Sequence, residues 1–181
     1  MFIAKEKRRE NIAEYILYMW QIEDLIRAHR FDLDRIENEL VQQYQGTNEQ
    51  RVEIRQWYHG LAESMLIEGI KNRGHLQFLE ILLDEVNNFH FRLIDSSSQG
   101  QYQKLYMSSI RNISELRKRM GDKERISDME VCLTALYGLL LMRLKKREVS
   151  KETEEVFGLF SELLAELSRL YKMFEEGSLE L

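Results

Sequence analysis

The stretch at residues 131–144, VCLTALYGLLLMRL, constrains the fold more than any other part of the chain, because its apolar residues leave no polar side. A helix that is apolar all round has to be enclosed by other helices or by lipid. Crossing a bilayer takes about 20 apolar residues, whereas this run is stopped by Arg143 and the basic residues that follow it. We therefore predict a buried central helix over residues 131–147, covered by the other helices of a bundle.

Local signals around this stretch support a helix. Ser127 and Glu130 have the spacing of a capping box, which satisfies backbone N–H groups at a helix start. Cys132, Ala135 and Gly138 recur every three residues and form a side of small residues. Because Gly138 lowers helix propensity by about 1 kcal/mol relative to alanine, we expect a neighbouring backbone to pack closely against it.

The remainder of the chain also carries helical signals. None of the 181 residues of the whole chain is a proline, and the β-branched residues do not form the alternating runs that are typical of strands. Apolar periodicity and short connections predict an all-α protein, a single compact bundle of about six to seven helices. We expect one domain over residues 1–175 and a short C-terminal tail at residues 176–181. The single cysteine excludes an internal disulfide.

The first predicted helix, residues 3–29, carries two apolar patches separated by a polar seam. Two patches need two sets of neighbours, so either this helix lies near the middle of the fold or the patch with Trp20 contacts another chain. The first patch contains Ile12, Tyr15, Met19, Ile22 and Ile26, the second contains Ala13, Leu17 and Trp20, and the seam contains Glu10, Glu14 and Gln21 with Tyr18 beside it.

The last predicted helix begins after Ser150 and has apolar residues at heptad-like spacing. The pattern is shorter than the three to four heptads of a coiled coil, so packing within the bundle is the first expectation. Together with the Trp20 patch, this spacing offers a self-complementary surface, which predicts a homodimer. The heptad-like positions are Val156, Phe160, Leu163, Leu167, Leu170 and Phe174.

Charge and missing motifs exclude several function classes. A net charge of −5 argues against broad binding to nucleic acid or anionic membranes. The N-terminus is charged from the start and lacks the apolar segment of a secretory signal, which predicts a cytoplasmic protein. HExxH, CxxC, GxSxG and P-loop motifs are absent, as is the Glu-x-x-His spacing of di-iron bundles. We therefore expect no catalytic residue, no metal and no cofactor.

The polar seam is the best candidate for a binding site. Glu14, Tyr18 and Gln21 would line a cleft, with Arg143 of the central helix as a possible partner. In the structural alternative Glu14 is simply paired, because a buried carboxylate nearly always has a partner. In the functional alternative an apolar cleft raises the pKa of Glu14, which then serves as a base or contacts a ligand.

His75 is a further candidate for ligand binding. It follows Gly74 at a predicted helix start, where free N–H groups can bind an anion. The alternative for His75, as for His90, is a partly buried and hydrogen-bonded histidine. About 22 Å of helix separates the two histidines, so they cannot share one metal ion.

A basic stretch at residues 111–125 would contact phosphates if the protein bound nucleic acid. Acidic residues alternate with the basic ones, which favours a solvated face. The basic residues are Arg111, Arg117, Lys118, Arg119, Lys123 and Arg125.

Several segments together resemble a known family. They are the opening FIAKEKRRENIAEYILYMWQIEDLIRA, the NRGHLQ turn, the CLTALYGLLLMRLKKREVS segment and the ending EEGSLEL. They are similar to an all-helical family of Bacteroidetes-type bacteria, domain of unknown function 4924, over nearly the whole chain. The resemblance implies a single intracellular helical domain and supplies no activity, cofactor or catalytic residue.

Two functions from different classes therefore stay open. The first is a non-enzymatic cytoplasmic interaction or scaffold protein, which forms a homo-oligomer or binds another protein and does not enter a membrane. The alternative is a small-molecule-binding protein or enzyme with a cleft at the seam. Nucleic-acid binding through residues 111–125 is a third and weaker hypothesis.

Overall fold

The computed structural model describes residues 1–121 and 126–181. Over these residues there are eight α-helices, one short 3₁₀ helix and no strand, which confirms the all-α class and shows that the predicted number of helices is too low. The helices are α1 (Phe2–Glu10), α2 (Ile12–Ala28), α3 (Leu33–Glu39), α4 (Asn48–Ile67), α5 (Gln77–Asp95), α6 (Gly100–Met120), α7 (Asp128–Leu144) and α8 (Lys151–Glu175), and the 3₁₀ helix is Val41–Gln43.

The additional helix comes from the N-terminal segment, which the periodicity predicts as one helix over residues 3–29. The chain leaves helical geometry at Asn11, so α1 and α2 are separate. Asparagine side chains compete with the backbone for hydrogen bonds and are neutral to unfavourable inside helices. Because the apolar periodicity continues across Asn11, the pattern does not reveal this interruption.

Side chains and one glycine define several helix ends, among them the predicted helix start at Ser127. Thr47 and Gln50 form a complete capping box at the start of α4. Ser127 accepts a hydrogen bond from the Glu130 backbone N–H at the start of α7. Gly121, after α6, has a φ of 89°, a left-handed conformation that glycine adopts without strain at a helix end.

Contacts divide the chain into two compact units. Unit 1 comprises residues 1–8 and 14–81, and unit 2 comprises residues 9–13 and 82–181. The single domain over residues 1–175, followed by a tail, stays a prediction. In the described part of the chain, no helix combines the length and the hydropathy that crossing a bilayer requires.

In unit 2, α7 packs against α6 and α8. Its first half is enclosed, since Val131, Cys132 and Leu133 are all 0 % exposed. Its second half is mostly half-buried, and Leu144 at its end is 69 % exposed. Burial on every side is therefore the wrong prediction for the second half, because apolar residues also contribute much of a protein's outer surface. The central position of α7 stays a prediction.

The side of small residues on α7 is not closely packed at Gly138. A Cβ atom built on Gly138 would meet no described atom within 4 Å, so the prediction of a neighbouring backbone at this position is wrong. Cys132, by contrast, is fully buried. Burial raises the pKa of its thiol above the ordinary range, which keeps the thiol protonated and unreactive.

The heptad-like residues of α8 pack within unit 2. Phe160, Leu163 and Leu167 are 0 % exposed and Leu170 is 2 % exposed, and α8 packs against α6 and α7. These four side chains are already covered and offer no open apolar surface to a second copy of the chain, whereas Val156 and Phe174 are half-buried.

In unit 1, α2 has one broad buried face rather than two separate patches. Ile16 lies between the two predicted patches on the helix surface and is 0 % exposed, and Trp20 is 3 % exposed. Glu14 and Gln21 of the polar seam lie on the opposite, more open side. Trp20 is therefore a core residue, whereas Leu17 of the same patch is half-buried. An interface with another chain through this patch stays a prediction.

Candidate functional site

A cavity of about 350 Å³ lies beside the more open side of α2 in unit 1. Its walls come from α2, from the segment after α3, and from α4. The volume lies at the lower end of the range for small-molecule pockets, about 300 to 1,000 Å³. The lining residues are Tyr18, Gln21, Ile22, Leu25, Leu40, Gln43, Tyr44 and Tyr58.

Tyrosine hydroxyls supply much of the polar surface of this cavity. The hydroxyl oxygens of Tyr44 and Tyr58 are 3.2 Å apart, and the Tyr18 hydroxyl donates to Sδ of Met1 at 3.4 Å. Burial first, and then hydrogen bonding with Tyr44, raise the pKa of Tyr18 and of Tyr58 above the ordinary range. These phenols therefore stay protonated near neutral pH, and each can both donate and accept a hydrogen bond.

Two glutamines add hydrogen-bond acceptors to the cavity wall. Nε2 of Gln21 donates to the Leu17 carbonyl at 3.3 Å, and Nε2 of Gln43 donates to the Glu39 carbonyl at 2.5 Å. Each amide nitrogen uses one of its two N–H groups in this bond, so the other N–H and the side-chain carbonyl oxygen are left for a further partner. The cavity thus combines acceptors with hydroxyls that can take either role.

The electrostatics of the cavity favour a neutral occupant. Its lining side chains are tyrosine, glutamine, leucine and isoleucine, none of which is charged. A charged molecule would lose hydration there without gaining a counter-ion, which costs free energy. Ile22, Leu25 and Leu40 provide an apolar wall, so the cavity suits an uncharged molecule with one polar edge.

The predicted site residues do not lie together in the structure. Tyr18 and Gln21 line the cavity. Glu14 does not, because its side chain is 57 % exposed and pairs with Nζ of Lys7 at 2.7 Å. Glu14 is therefore a surface ion pair rather than a carboxylate in an apolar cleft. Arg143 belongs to unit 2, where it lines a separate cleft formed by α7 and α8.

A second cluster lies on the buried face of α2. Glu23 is 0 % exposed; its Oε2 is 2.6 Å from Nδ1 of His75, and its Oε1 accepts the Leu76 backbone N–H at 2.8 Å. Trp20 stacks on His75 with ring centroids 4.5 Å apart and 18° between the ring planes. The His75 side chain is 36 % exposed, so the carboxylate is enclosed while the imidazole reaches solvent.

The anion site predicted at the start of α5 stays a prediction, and two of its backbone N–H groups already have partners. The Leu76 backbone N–H is bonded to Glu23, and the Gln77 backbone N–H donates to Oε2 of Glu68 at 2.7 Å. Carboxylates of the protein itself therefore occupy the N–H groups that an anion would need, in the position that the helix dipole favours. His75 interacts through its ring instead.

Unit 2 holds a buried polar network around Asp128, the first residue of α7. The Tyr106 hydroxyl donates to Oδ2 of Asp128 at 2.7 Å, and the Arg117 guanidinium pairs with Oδ1. His90 is 0 % exposed, with Nδ1 2.5 Å from the Tyr102 hydroxyl and Nε2 3.6 Å from Oδ2 of Asp128. The latter distance is too long for an ordinary hydrogen bond. His90 is thus a buried, hydrogen-bonded histidine, as in the alternative prediction.

The charges of this network stabilise the ionised form of Asp128. Burial acts to raise the pKa of Asp128, but the neighbouring His90, Tyr106 and Arg117 outweigh burial and hold the pKa well below its usual range. Arg117 also donates to the Ile126 carbonyl at 2.9 Å, so it serves the network rather than an open surface.

The rest of the basic stretch gives little support for nucleic-acid binding. Nε of Arg111 pairs with Oε1 of Glu115 at 3.1 Å on the surface of α6, as a solvated face would. Lys123 and Arg125 lie outside the described residues.

Sequence reasoning missed Glu23, Tyr44, Tyr58 and Gln43. Glu23 had a signal, since it lies in the apolar stripe of α2 beside Ile22 and Ile26, where an acidic residue needs a partner. The cavity residues after α3 had no such signal in the sequence, because helical periodicity does not predict how a connecting segment folds back. Within the described residues, no group of three or more His, Cys, Asp or Glu side chains is arranged to hold a metal ion.

Comparison with known proteins identifies a family but no activity. No curated protein and no solved structure matches the chain. The family model described as "Domain of unknown function (DUF4924)" matches residues 1–178. Since this match includes both units and all eight described helices, the chain belongs to the DUF4924 family.

Proposed function

We propose that the protein binds a small uncharged molecule in the cavity of unit 1. The observation that carries this proposal is that Tyr18, Tyr44 and Tyr58 line one cavity whose wall has no charged side chain. This is the second of the two functions predicted from the sequence, with the tyrosines in place of Glu14 as the central polar groups.

The hydrogen-bonding groups support a more specific ligand class. The amides of Gln21 and Gln43 each keep a carbonyl oxygen that can accept a hydrogen bond and one N–H that can donate, and the protonated tyrosines can do either. A planar molecule with N–H or O–H donors on one edge and an apolar face would satisfy both walls of the cavity. Binding without chemistry is sufficient, because no titrating or nucleophilic pair lines this cavity.

The self-association predicted from the sequence receives less support. Trp20 and four of the six heptad-like residues of α8 are buried, while Leu17, Val156 and Phe174 are half-buried, so little of either surface is open to a second copy. The homodimer stays a prediction, which sedimentation at micromolar concentration would test.

Benzamide and benzoate provide a matched pair of probes, because they share a shape and differ in charge. We expect saturation-transfer NMR to show contact between benzamide and the protein, with benzoate binding at least about tenfold more weakly. Tyr44→Phe, which removes a hydroxyl bonded to Tyr58, should weaken benzamide binding by about fivefold, in line with the loss of about 1 kcal/mol.

Tyr15→Phe is the control for this experiment. Tyr15 is a half-buried tyrosine of α2 that does not line the cavity, so its hydroxyl should not affect benzamide binding. Equal binding of benzamide and benzoate would contradict the proposal, as would equal effects of Tyr15→Phe and Tyr44→Phe.

A further inference from the structure

We propose that Nε2 of His75 is a nucleophile that accepts a phosphoryl group, with Glu23 as its positioning residue. This site lies on the buried face of α2 and shares no residue with the tyrosine cavity. The geometry of the Glu23, His75 and Trp20 cluster and the charges of the loop before His75 support this assignment.

Glu23 determines which ring nitrogen of His75 is available. Its Oε2 lies 2.6 Å from Nδ1, so in the neutral imidazole the proton resides on Nδ1 and the lone pair on Nε2. Glu23 is 0 % exposed, and its other oxygen is held by the Leu76 backbone N–H. A carboxylate fixed in this way orients a histidine and stabilises positive charge that develops on its ring, as in catalytic triads.

The ring of His75 is held in place and is still accessible. Trp20, which is 3 % exposed, stacks on it with 18° between the ring planes, so rotation of the imidazole would break both the stack and the bond to Glu23. The His75 side chain nevertheless keeps 36 % of its surface exposed. A nucleophile needs this combination of fixed orientation and solvent access.

The loop before His75 favours an electrophile with negative charge. Lys71 and Arg73 are exposed, and neither makes an ion pair with any residue that the structure describes. Arg27 holds this loop by donating hydrogen bonds to the carbonyls of Ile70 and Gly74. Two unpaired cations thus lie within four residues of the imidazole in sequence, where they would attract a phosphoryl donor.

The partners of His75 favour a direct nucleophile over a general base. Among the described residues its hydrogen-bonding and stacking partners are Glu23 and Trp20. A general base of the triad type would need a serine, threonine or cysteine at its free nitrogen. With none bonded there, the reactive group is the nitrogen itself.

The proposed step conserves atoms and charge. The lone pair on Nε2 forms a bond to phosphorus, while the bond between phosphorus and the leaving group of the donor breaks and its electron pair departs with that group. For phosphoramidate protonated on nitrogen, the leaving group is ammonia. The positive charge that develops on the ring is shared with Glu23 through the Nδ1 proton.

Phosphoramidate is the probe for this proposal. We expect the intact protein to gain one phosphoryl group at His75, mapped by peptide mass spectrometry at alkaline pH, faster than His29 and His59 of the same chain. Glu23→Gln keeps an acceptor for the Leu76 N–H but lacks the negative charge. It should slow the reaction by about tenfold, which corresponds to about 1.4 kcal/mol.

Glu68→Gln is the matched control, because Glu68 also accepts a backbone N–H at the start of α5 but does not contact His75. It should leave the rate unchanged. If phosphorylation of His75 is no faster than that of His29 and His59, or if the two glutamine variants behave alike, the proposal is wrong.

A double variant tests the role of charge even if Glu23→Gln does not fold. Lys71→Gln combined with Arg73→Gln changes only exposed side chains. It should slow the reaction of His75 with phosphoramidate by about fivefold and leave its reaction with uncharged diethyl pyrocarbonate unchanged. Equal effects on both reagents would contradict a site for an anionic donor.

Discussion

In each unit a carboxylate approaches a histidine, as Glu23 does His75 and Asp128 does His90, and the two pairs are built in opposite ways. In unit 1 the carboxylate of Glu23 is enclosed, and the imidazole of His75 reaches solvent. In unit 2 the imidazole of His90 is enclosed, and the carboxylate of Asp128 is bonded by Tyr106 and Arg117.

The difference separates a structural network from a candidate site. The Tyr106 hydroxyl, the Arg117 guanidinium and Nδ1 of His90 are bonded within unit 2, while Nε2 of His90 has no hydrogen-bond partner among the described residues. A network of that kind fixes a core arrangement. His75 has one bonded nitrogen and one free edge, so the same residue types leave a reactive group accessible. Removing members of each pair should therefore have different consequences.

Asp128→Ala should produce the largest loss of stability. It leaves Arg117 without its carboxylate and the Tyr106 hydroxyl without its acceptor. Because the ion pair is partly rather than fully buried, we expect a loss of about 3 kcal/mol, at the low end for a buried pair. Urea unfolding followed by circular dichroism would measure the loss. Glu152→Ala, an exposed acidic residue in the first turn of α8, is the control and should cost less than about 1 kcal/mol.

His75→Ala should cost less, about 2 kcal/mol, because Glu23 loses its histidine partner but keeps the Leu76 N–H. The same urea titration measures this value. His29→Ala gives a comparison, since His29 is also half-buried and contacts a carboxylate, that of Glu39, at 3.3 Å. A larger loss for His75→Ala than for Asp128→Ala would reverse the assignment of the structural and the accessible pair.

Acid should reduce stability through Asp128 by a smaller amount. The pKa of Asp128 is lower in the folded state than its ordinary value of 3.8, so its contribution is fully present above that value and is lost as the pH falls toward the folded pKa. Between pH 5 and pH 3 we expect this group to account for about 1 kcal/mol. Asp128→Asn should show a correspondingly flatter dependence of unfolding free energy on pH, and an unchanged slope would show that other carboxylates account for the loss.

The sequence predicted the helical class and the helix start at Ser127 because these depend on local rules. Ser127 acts through a hydrogen bond from the Glu130 backbone N–H, three residues along the chain. The break at Asn11 was missed because it interrupts the helix without interrupting the apolar stripe.

The candidate site was only partly predictable, because it does not depend on local rules alone. Tyr18 and Gln21 were found from their place on one helix, but Tyr44 and Tyr58 join them through the path of the chain after α3, which periodicity does not encode. Glu14 forms an ion pair, as in the structural alternative, but on an exposed side of α2 rather than a buried one. Glu23 was overlooked although its position within an apolar stripe indicated a buried carboxylate.

The division of the N-terminal segment between the units has a consequence for biosynthesis. Residues 9–13 belong to unit 2, whose other residues begin at 82. The Ala13 backbone N–H donates to Oγ of Ser168 at 3.3 Å, across 155 positions of sequence, and Lys172 pairs with Glu10. Since domains generally fold from the N-terminus during synthesis, this early segment has to wait until nearly the whole chain has left the ribosome. Completion of unit 2 is therefore a late, long-range event, which makes folding slower than that of a helical bundle with only local contacts.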